Sequence, residues 1–292
     1  MLARSSPCKI NLLLNILGRR TDGFHELETV MHPVRLCDEL TFESTISGVT
    51  LTCSDPALPV DATNLVCRAA TSFLTAARIP QGVRIHLEKR IPMAAGLGGG
   101  SGDAATTLLG LNELFDSPLA AAQLHELAAA LGSDIPFFLQ SQPALATGRG
   151  ESIQPLESFP VLQDVFVLLI HPGFGIATAW AYQQLAHFPA ALNGRPGRAQ
   201  QLITLLRAGD LAAAGAAFYN SLEAPALHKY PLLALFQEFL KANGAAAALM
   251  SGSGSTTFAL IRGRAPAEAL HANFQTHFGS SHWTALVPLG NF

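Results

Sequence analysis

The sequence has few charged residues and no marked excess of either sign. Only 13% of its 292 residues are charged, and the formal net charge is −3, so it lacks the basic stripe that binds extended nucleic acid. No apolar run approaches the roughly 18 residues that span a membrane, and the residues after Met1 lead into a strand pattern rather than a signal-peptide core. We therefore expect a cytoplasmic protein with no nucleic-acid or membrane partner.

Cysteine is scarce, and its spacing argues against two common kinds of site. The four cysteines contain no Cys-x-x-Cys pair and lie in the first quarter of the chain, at Cys8, Cys37, Cys53 and Cys67. We expect them to be small buried residues rather than disulfides or metal ligands. The ten histidines show no His-Glu-x-x-His pattern, so a zinc-protease type of site is excluded as well.

Apolar residues are plentiful instead, at 49% of the chain, which is enough for two modest hydrophobic cores. Their spacing predicts an α+β fold in which mostly antiparallel strands come first and Ala- and Leu-rich helices follow. A change in composition near Pro160 suggests two domains, residues 1–158 and 159–292. The predicted strands are Cys8–Ile16, Leu27–Pro33, Glu39–Glu43, Val49–Cys53, Val83–Lys89, Val165–Ile170, Ala246–Met250, Thr257–Ile261 and Trp283–Val287. Helices are predicted after a cap at Asn64, over Ala104–Leu114 and over Leu119–Leu131.

A glycine-rich segment separates the strand that ends at Lys89 from the helix predicted to start at Ala104. Five glycines and a serine allow the backbone to approach an anion closely, and the first turn of a helix offers unpaired N–H groups and the positive end of its dipole. This order of strand, glycine loop and helix predicts a polyphosphate site. The segment is Pro92, Met93, Ala94, Ala95, Gly96, Leu97, Gly98, Gly99, Gly100, Ser101 and Gly102.

Two familiar phosphate loops do not fit this segment. A Walker loop closes with Lys-Ser or Lys-Thr, whereas this loop closes with Gly100-Ser101-Gly102. A dinucleotide loop needs a third glycine or alanine in register and an acidic residue on a second strand, but Glu113 falls on the helix itself. A flexible surface loop is the remaining alternative, and it rarely adjoins so apolar a helix.

A second glycine-serine cluster, Met250–Thr256, lies between two predicted strands. By itself it is typical of a hairpin turn. It could also meet the first glycine loop, so that two loops close over one polyphosphate. No serine of the chain stands in a Gly-x-Ser-x-Gly frame, which argues against serine-hydrolase chemistry.

Three polar residues stand in otherwise apolar surroundings. Lys9 and Asn11 share one face of the first predicted strand, and polar groups there are costly unless they are paired. Lys9 could extend to solvent or pair with a carboxylate, and Asp134, before an Ile-Pro turn, could simply cap that turn. Brought together beside a phosphate loop, the two would make a phosphoryl-transfer pair, with the aspartate as base and the lysine stabilising the γ-phosphoryl charge.

Three segments resemble the motifs of the GHMP kinase superfamily and occur in its order: Cys8–Leu12, Pro92–Gly102 and Met250–Phe258. Within it, Gly18–His25 and Gly132–Phe137 are similar to segments of the 4-diphosphocytidyl-2-C-methyl-D-erythritol kinases. The resemblance implies an N-terminal domain like the second domain of ribosomal protein S5, a ferredoxin-like C-terminal domain and an active site between them. It implies ATP-dependent phosphorylation of the 2-hydroxyl of a cytidine diphosphate-linked methylerythritol.

The resemblance also implies roles for individual residues. Lys9 and Asp134 match the catalytic pair, the glycine segment matches the ATP phosphate loop, and Ser101 matches a residue that helps to place Mg²⁺. Asn64 and Leu65 match adenosine contacts. Substrate contacts are implied for Asn11, Phe24, His25, Thr178 and Tyr182, with His25 reading cytosine and Phe24 standing where tyrosine is common.

Other functions remain possible at this point. A homoserine or mevalonate kinase of the same superfamily would lack the pocket around Phe24 and His25. A non-catalytic module on the S5-like scaffold would not need both Lys9 and Asp134. An NAD-dependent oxidoreductase would be stabilised thermally by NAD rather than by ATP. The sequence does not indicate an oligomeric state or the ligands of a metal.

Overall fold

The computed structural model of the chain describes residues 1–290, which contain eleven strands and ten α-helices. The strands are β1 (Leu2–Arg19), β2 (His25–Thr45), β3 (Val49–Cys53), β4 (Gly82–Glu88), β5 (Ala144–Gly148), β6 (Ser152–Pro155), β7 (Val165–His171), β8 (Tyr219–Asn220), β9 (Ala247–Met250), β10 (Thr257–Arg262) and β11 (Trp283–Pro288). The α-helices are α1 (Leu65–Ala76), α2 (Gly99–Leu114), α3 (Ala121–Leu131), α4 (Thr178–Gln184), α5 (Pro189–Leu192), α6 (Arg198–Ala208), α7 (Leu211–Ala216), α8 (Glu223–Lys229), α9 (Pro231–Ala242) and α10 (Arg264–Phe278). Short 3₁₀ helices cover Ile135–Leu139, Pro160–Leu162 and Leu185–His187.

The chain folds into two compact units, and each is assembled from separated stretches of sequence. The first unit contains Met1–Cys8, Leu36–Pro92 and Gly98–Ser141. The second contains Lys9–Arg35, Met93–Leu97 and the chain from Gln142 onward. The division of the chain into two continuous domains, residues 1–158 and 159–292, remains a prediction.

In the first unit, a small sheet packs against helices. β4 pairs in parallel with β3 and antiparallel with the end of β2. Its burial alternates with period two, since Val83, Ile85 and Leu87 are buried while the residues between them are exposed, as a strand with one covered face requires. Helix α2 lies close to this layer at Gly110, where an added Cβ would come within 2.7 Å of the Phe42 ring.

The second unit contains an antiparallel sheet in the order β11–β7–β10–β9. Strand β7 is buried along almost its whole length, because α9 and α10 pack on one face through Phe236, Leu240 and Phe274. Helices join β7 to β9, and α10 joins β10 to β11. This βαββαβ arrangement is ferredoxin-like, as the resemblance implied, and the mixed α+β class is confirmed.

Most predicted elements are present, and the differences are in β2, in strands that were not predicted and at the start of α2. The two segments predicted from Leu27 to Glu43 form one continuous strand, β2. The hairpin β5–β6, which pairs with β2 at Leu27, and the short β8, which pairs in parallel with β1 at Leu13, were not predicted. Within residues 1–290, no helix is long and apolar enough to cross a membrane.

Candidate active site

Lys9 is buried on β1 and is held by hydrogen bonds rather than extended to solvent. Its side chain is 2% exposed, and its Nζ donates to Asn11 Oδ1 at 2.6 Å and to the Gly96 carbonyl at 2.9 Å. Its backbone N–H donates to the Leu97 carbonyl at 2.9 Å. The expected shared face of Lys9 and Asn11 is therefore confirmed, and Lys9 lies against Gly96 and Leu97 of the glycine segment.

The two glycine-serine loops meet in the second unit. Ser251 Oγ donates to the Gly96 carbonyl at 2.9 Å, and the Thr256 N–H donates to the Ala95 carbonyl at 3.1 Å. Gly96 has a φ of +76°, and a Cβ there would lie 2.1 Å from the Ser251 carbonyl oxygen, so only glycine fits this approach. The expectation that the loops lie together is confirmed; the polyphosphate between them stays a prediction.

Helix α2 begins inside the glycine segment, at Gly99, and not at Ala104 as predicted. Gly98 takes the left-handed conformation at the helix N-cap, and the first helical hydrogen bond runs from the Gly102 N–H to the Gly98 carbonyl. The prediction was wrong because glycine disfavours helix interiors by propensity. Here close packing overrides propensity, since a Cβ on Gly102 would meet the Pro7 carbonyl at 2.6 Å.

The first turn of α2 presents different faces to its own unit and to solvent. A Cβ on Gly99 would meet Ile91 at 3.0 Å and Lys89 Nζ at 3.1 Å, so this glycine faces the interior. Gly100 is exposed, and its Cβ would find only Leu65 Cδ1, at 3.9 Å. Helix geometry leaves the N–H groups of Gly99, Gly100 and Ser101 without intrahelical acceptors. This turn has the features of an anion-binding helix start.

Two residues that the sequence analysis missed, the buried Asn220 and the half-buried Glu223, hold the second loop. Asn220 Nδ2 donates to the carbonyls of Met250 and Gly252, each at 2.8 Å. Glu223 accepts the Met250 N–H at 2.7 Å, and burial raises the pKa of this carboxyl. The sequence feature that could have identified these two residues is the polar run Asn-Ser-Leu-Glu, which leads into α8 within an otherwise apolar region.

The predicted substrate residues lie in the second unit with Lys9. The His25 and Tyr182 rings have centroids 5.0 Å apart. Phe24 is 52% exposed, with the Arg149 guanidinium 4.8 Å from its ring centroid. Thr178 starts α4 and its hydroxyl hydrogen-bonds Ser253 Oγ at 2.9 Å. Arg149 was not predicted, because it stands in the turn of the missed β5–β6 hairpin.

Burial lowers the pKa of the His25 imidazole, and the nearby Arg19 charge lowers it further. The ring is therefore neutral at pH 7, with one nitrogen donating a hydrogen bond and the other accepting one. A neutral imidazole of this kind can recognise an edge that carries both donors and acceptors, as a pyrimidine base does.

Asp134, Asn64 and Leu65 lie in the first unit, as do Pro92 and Gly98–Gly102, whereas Met93–Leu97 belong to the second. Asp134 is half-buried and directly precedes the 3₁₀ helix Ile135–Leu139. Asn64 caps α1, as predicted, by accepting the Val66 N–H at 2.8 Å, and its Nδ2 donates to the Pro59 carbonyl at 2.6 Å. The adenosine contacts of Asn64 and Leu65 stay predictions.

A buried charge cluster behind α2 was also missed. Lys89 Nζ hydrogen-bonds Asp38 and, at 3.2 Å, Asp103 on α2. Asp38 also accepts the backbone N–H groups of Arg90 and Ile91 at 2.6 and 2.8 Å. Burial raises the pKa of Asp103 to about 7, with Lys89 opposing that rise and Asp38 adding to it. Within residues 1–290 no group of three or more His, Cys, Asp or Glu side chains is arranged to hold a metal ion.

Comparisons with known proteins identify the family to which the residues described above belong. Residues 64–142 match the model of the GHMP kinases N terminal domain, and residues 202–280 match that of the GHMP kinases C terminal domain. A 4-diphosphocytidyl-2-C-methyl-D-erythritol kinase from Syntrophotalea carbinolica is 39% identical over 288 residues, which cover 97% of this chain and 96% of that protein.

Comparison with solved structures identifies a kinase of the same name. A crystal structure of a 4-(cytidine 5'-diphospho)-2C-methyl-D-erythritol kinase is 36% identical, covers 98% of this chain and 99% of its own, and has a TM-score of 0.77. A homoserine kinase from Cytophaga hutchinsonii covers 98% of this chain and 95% of its own with a TM-score of 0.74, but at 21% identity it supports only the fold. The chain belongs to the 4-diphosphocytidyl-2-C-methyl-D-erythritol kinase family of the GHMP kinases.

Proposed function

We propose that the protein transfers the γ-phosphoryl group of ATP to the 2-hydroxyl group of 4-diphosphocytidyl-2-C-methyl-D-erythritol. The observation that carries this proposal is the near full-length similarity to kinases of that name, in a chain whose buried Lys9 donates to the carbonyl of Gly96 in the glycine segment. Because ATP is the donor, we expect the enzyme to act in the cytoplasm on small molecules.

In this proposal Asp134 accepts the proton of the attacking hydroxyl, and the Lys9 ammonium stabilises negative charge that develops on the γ-phosphoryl group. A carboxylate and an ammonium are the groups suited to these two tasks. The polarity around Lys9 supports its role, since Asn11 Oδ1 and the Gly96 carbonyl orient the charge without neutralising it.

The glycine segment from Pro92 to Gly102 is proposed to bind the ATP phosphates, with Asn64 and Leu65 on the adenosine side. Ser101 carries a half-buried hydroxyl in the first turn of α2, and a hydroxyl is an oxygen ligand that Mg²⁺ accepts. The residues present therefore fit an ion bound mainly by the nucleotide phosphates and assisted by Ser101. When bound, it would neutralise phosphate charge.

Acceptor recognition is assigned to residues of the second unit. We propose that His25 reads the cytosine edge, that Phe24 and Tyr182 contribute aromatic surface to the base, and that Asn11 and Thr178 complete the pocket. Phenylalanine at position 24 keeps a stacking face but lacks the hydroxyl of tyrosine.

The proposal is tested by ADP release from ATP and Mg²⁺ with four acceptors: the cytidylyl-methylerythritol compound, mevalonate, homoserine and galactose. We expect turnover of the first alone. Turnover of homoserine or mevalonate without the cytidylyl compound would overturn the acceptor assignment and leave the kinase family intact.

Lys9→Ala and Asp134→Asn are each expected to lower kcat by at least about a hundredfold, because each removes a group that acts on the reacting atoms. ATP binding should change little in both variants, and so should thermal unfolding of Asp134→Asn; Lys9→Ala should melt at a lower temperature, because the buried Asn11 and Gly96 oxygens lose this donor. Lys241→Ala and Asp164→Asn, which alter exposed residues of the same types, are matched controls. Near-normal turnover in either site variant would remove that residue from the catalytic pair.

A further inference from the structure

A chain of hydrogen bonds runs from Lys9 through two neighbouring side chains to the backbone of β1. Lys9 Nζ donates to Asn11 Oδ1 at 2.6 Å, and Asn11 Nδ2 donates to Thr29 Oγ1 at 2.9 Å. The Thr29 hydroxyl in turn donates to the Leu13 carbonyl at 2.5 Å. All four residues belong to the second unit.

The chemistry of the groups allows these bonds in only one direction. An ammonium can donate but not accept, so the Asn11 oxygen must face Lys9 and the Asn11 NH₂ must face Thr29. Thr29 Oγ1 then has to accept, and its single proton is left for the Leu13 carbonyl, which can only accept. The Thr29 hydroxyl, whose proton is committed to Leu13, therefore anchors the Asn11 amide in the orientation that presents its oxygen to Lys9.

The burial of these residues strengthens the hydrogen bonds that orient the Asn11 amide. Lys9, Asn11 and Thr29 are only 2%, 3% and 4% exposed, so little water competes for their polar atoms, and hydrogen bonds in such surroundings are strengthened. The backbone at Thr29 is itself fixed, because it pairs with Ala146 of β5. Thr29 thus provides a rigid acceptor behind Asn11.

We propose that Thr29 is a positioning residue for the Lys9 ammonium and acts through the Asn11 amide. This inference rests on the proposed function of Lys9 in phosphoryl transfer. Without the hydroxyl, the Asn11 NH₂ loses its acceptor, the amide is held only at its Lys9 end, and the Lys9 ammonium is positioned less firmly by its 2.6 Å partner. Nucleotide binding depends on other groups and should persist, whereas acceptor binding should weaken because Asn11 is also proposed to line the acceptor pocket.

The test compares Thr29→Val, which has nearly the same shape but no hydroxyl, with Thr29→Ser, which keeps the hydroxyl. We expect Thr29→Val to lower kcat about tenfold with KM for ATP within about twofold, and Thr29→Ser to restore kcat to within about threefold of wild type. Thr107→Val is a matched control, because Thr107 is also buried and its hydroxyl also donates to a backbone carbonyl, at 2.7 Å. It should keep wild-type kinetics.

If Thr29→Val does not fold, Thr29→Ala removes the same hydroxyl and is compared with Thr29→Ser for the same difference in kcat. Wild-type kcat in a folded variant without the hydroxyl, or an equally low kcat in Thr29→Ser, would overturn the positioning role.

The Lys9→Ala background separates this inference from the function on which it rests. There, adding Thr29→Val should change the residual kcat by less than about twofold, because the group being positioned is absent. A full tenfold additional loss would mean that Thr29 acts independently of Lys9. Wild-type turnover in Lys9→Ala alone would instead contradict the proposed catalytic pair.

Discussion

His25 is the residue on which acceptor specificity depends in the proposed reaction. Its imidazole is neutral at pH 7 and lies 5.0 Å from the Tyr182 ring, between centroids. Removing a hydrogen-bonding partner from a partly desolvated site costs about 1–3 kcal/mol. His25→Ala should therefore raise KM for the cytidylyl substrate roughly tenfold to a hundredfold and leave KM for ATP unchanged. Steady-state kinetics with each substrate varied in turn measure both values.

His125→Ala, on the exposed face of α3, is the control for His25→Ala and should behave as wild type. An equal rise in both KM values, or none in either, would end the cytosine-reading role of His25.

Single residues were predictable where their chemistry conflicted with their surroundings. Lys9 and Asn11 stood out because a lysine and an amide interrupt an apolar strand. Thr29 did not, since threonine is an ordinary strand residue and gives no sign of a buried partner. Asp38 and Lys89 lie 51 positions apart, and a pairing over that distance leaves no local pattern.

The first turn of α2 is the element on which nucleotide binding is expected to depend. Gly100 faces open space, so Gly100→Val would put a branched side chain where the phosphates are proposed to lie, without filling the interior. We expect ATP affinity to fall at least about tenfold while the melting temperature changes little, because valine is no worse than glycine in a helix. Calorimetry and thermal unfolding provide the two measurements.

Gly99→Val, at the neighbouring position, is the informative comparison for Gly100→Val. Its side chain would press on Ile91 and Lys89, so this variant should lose stability by overpacking whether or not the loop binds phosphate. Undiminished ATP affinity in Gly100→Val would show that the exposed side of the turn does not contact the nucleotide.

Strands were predictable where the pattern alternated with period two, as in β4, or where a short apolar run was bounded by turn residues, as in β9 and β10. The start of α2 was not, because the advantage of glycine there comes from close backbone packing, which propensity does not include. The β5–β6 hairpin was missed because Ala144–Gly148 has few of the branched and aromatic residues that mark strands. The glycine and serine loops were recognised, but their mutual contact at Gly96 depends on tertiary structure.

Two buried groups should give the whole molecule a characteristic dependence of stability on pH. Burial raises the pKa of Asp103 to about 7, so its contribution to stability is complete below the unfolded pKa near 4 and is lost as pH rises through 7. Burial lowers the pKa of His32 to about 4, so its contribution is present above about 6.5 and is lost as pH falls. The two effects oppose each other between these limits.

Asp103→Asn should remove one of these effects and reveal the other. Between pH 4.5 and 6.5, the free energy of unfolding of this variant should increase with pH by about 2–3 kcal/mol more than that of wild type. The difference arises because the variant no longer loses the Asp103 contribution, which amounts to roughly 1.4 kcal/mol per pH unit. Urea unfolding at three pH values measures the difference, and Asp164→Asn should follow the wild-type curve. Parallel profiles for Asp103→Asn and wild type would mean that Asp103 titrates normally.

The division of each unit into separated stretches has a consequence for synthesis on the ribosome. The stretch that contains Lys9 is translated near the beginning, yet its β1 pairs with β8 at Leu13 and Tyr219, and the Ile16 N–H donates to Ser221 Oγ. About two hundred residues must emerge before these contacts can form, which takes roughly 10–40 s at ordinary elongation rates. Although β2 follows directly in the chain, the apolar residues of β1 therefore lack their contacts with β8 for most of translation. The lysine proposed for catalysis belongs to one of the first segments made and one of the last to be completed.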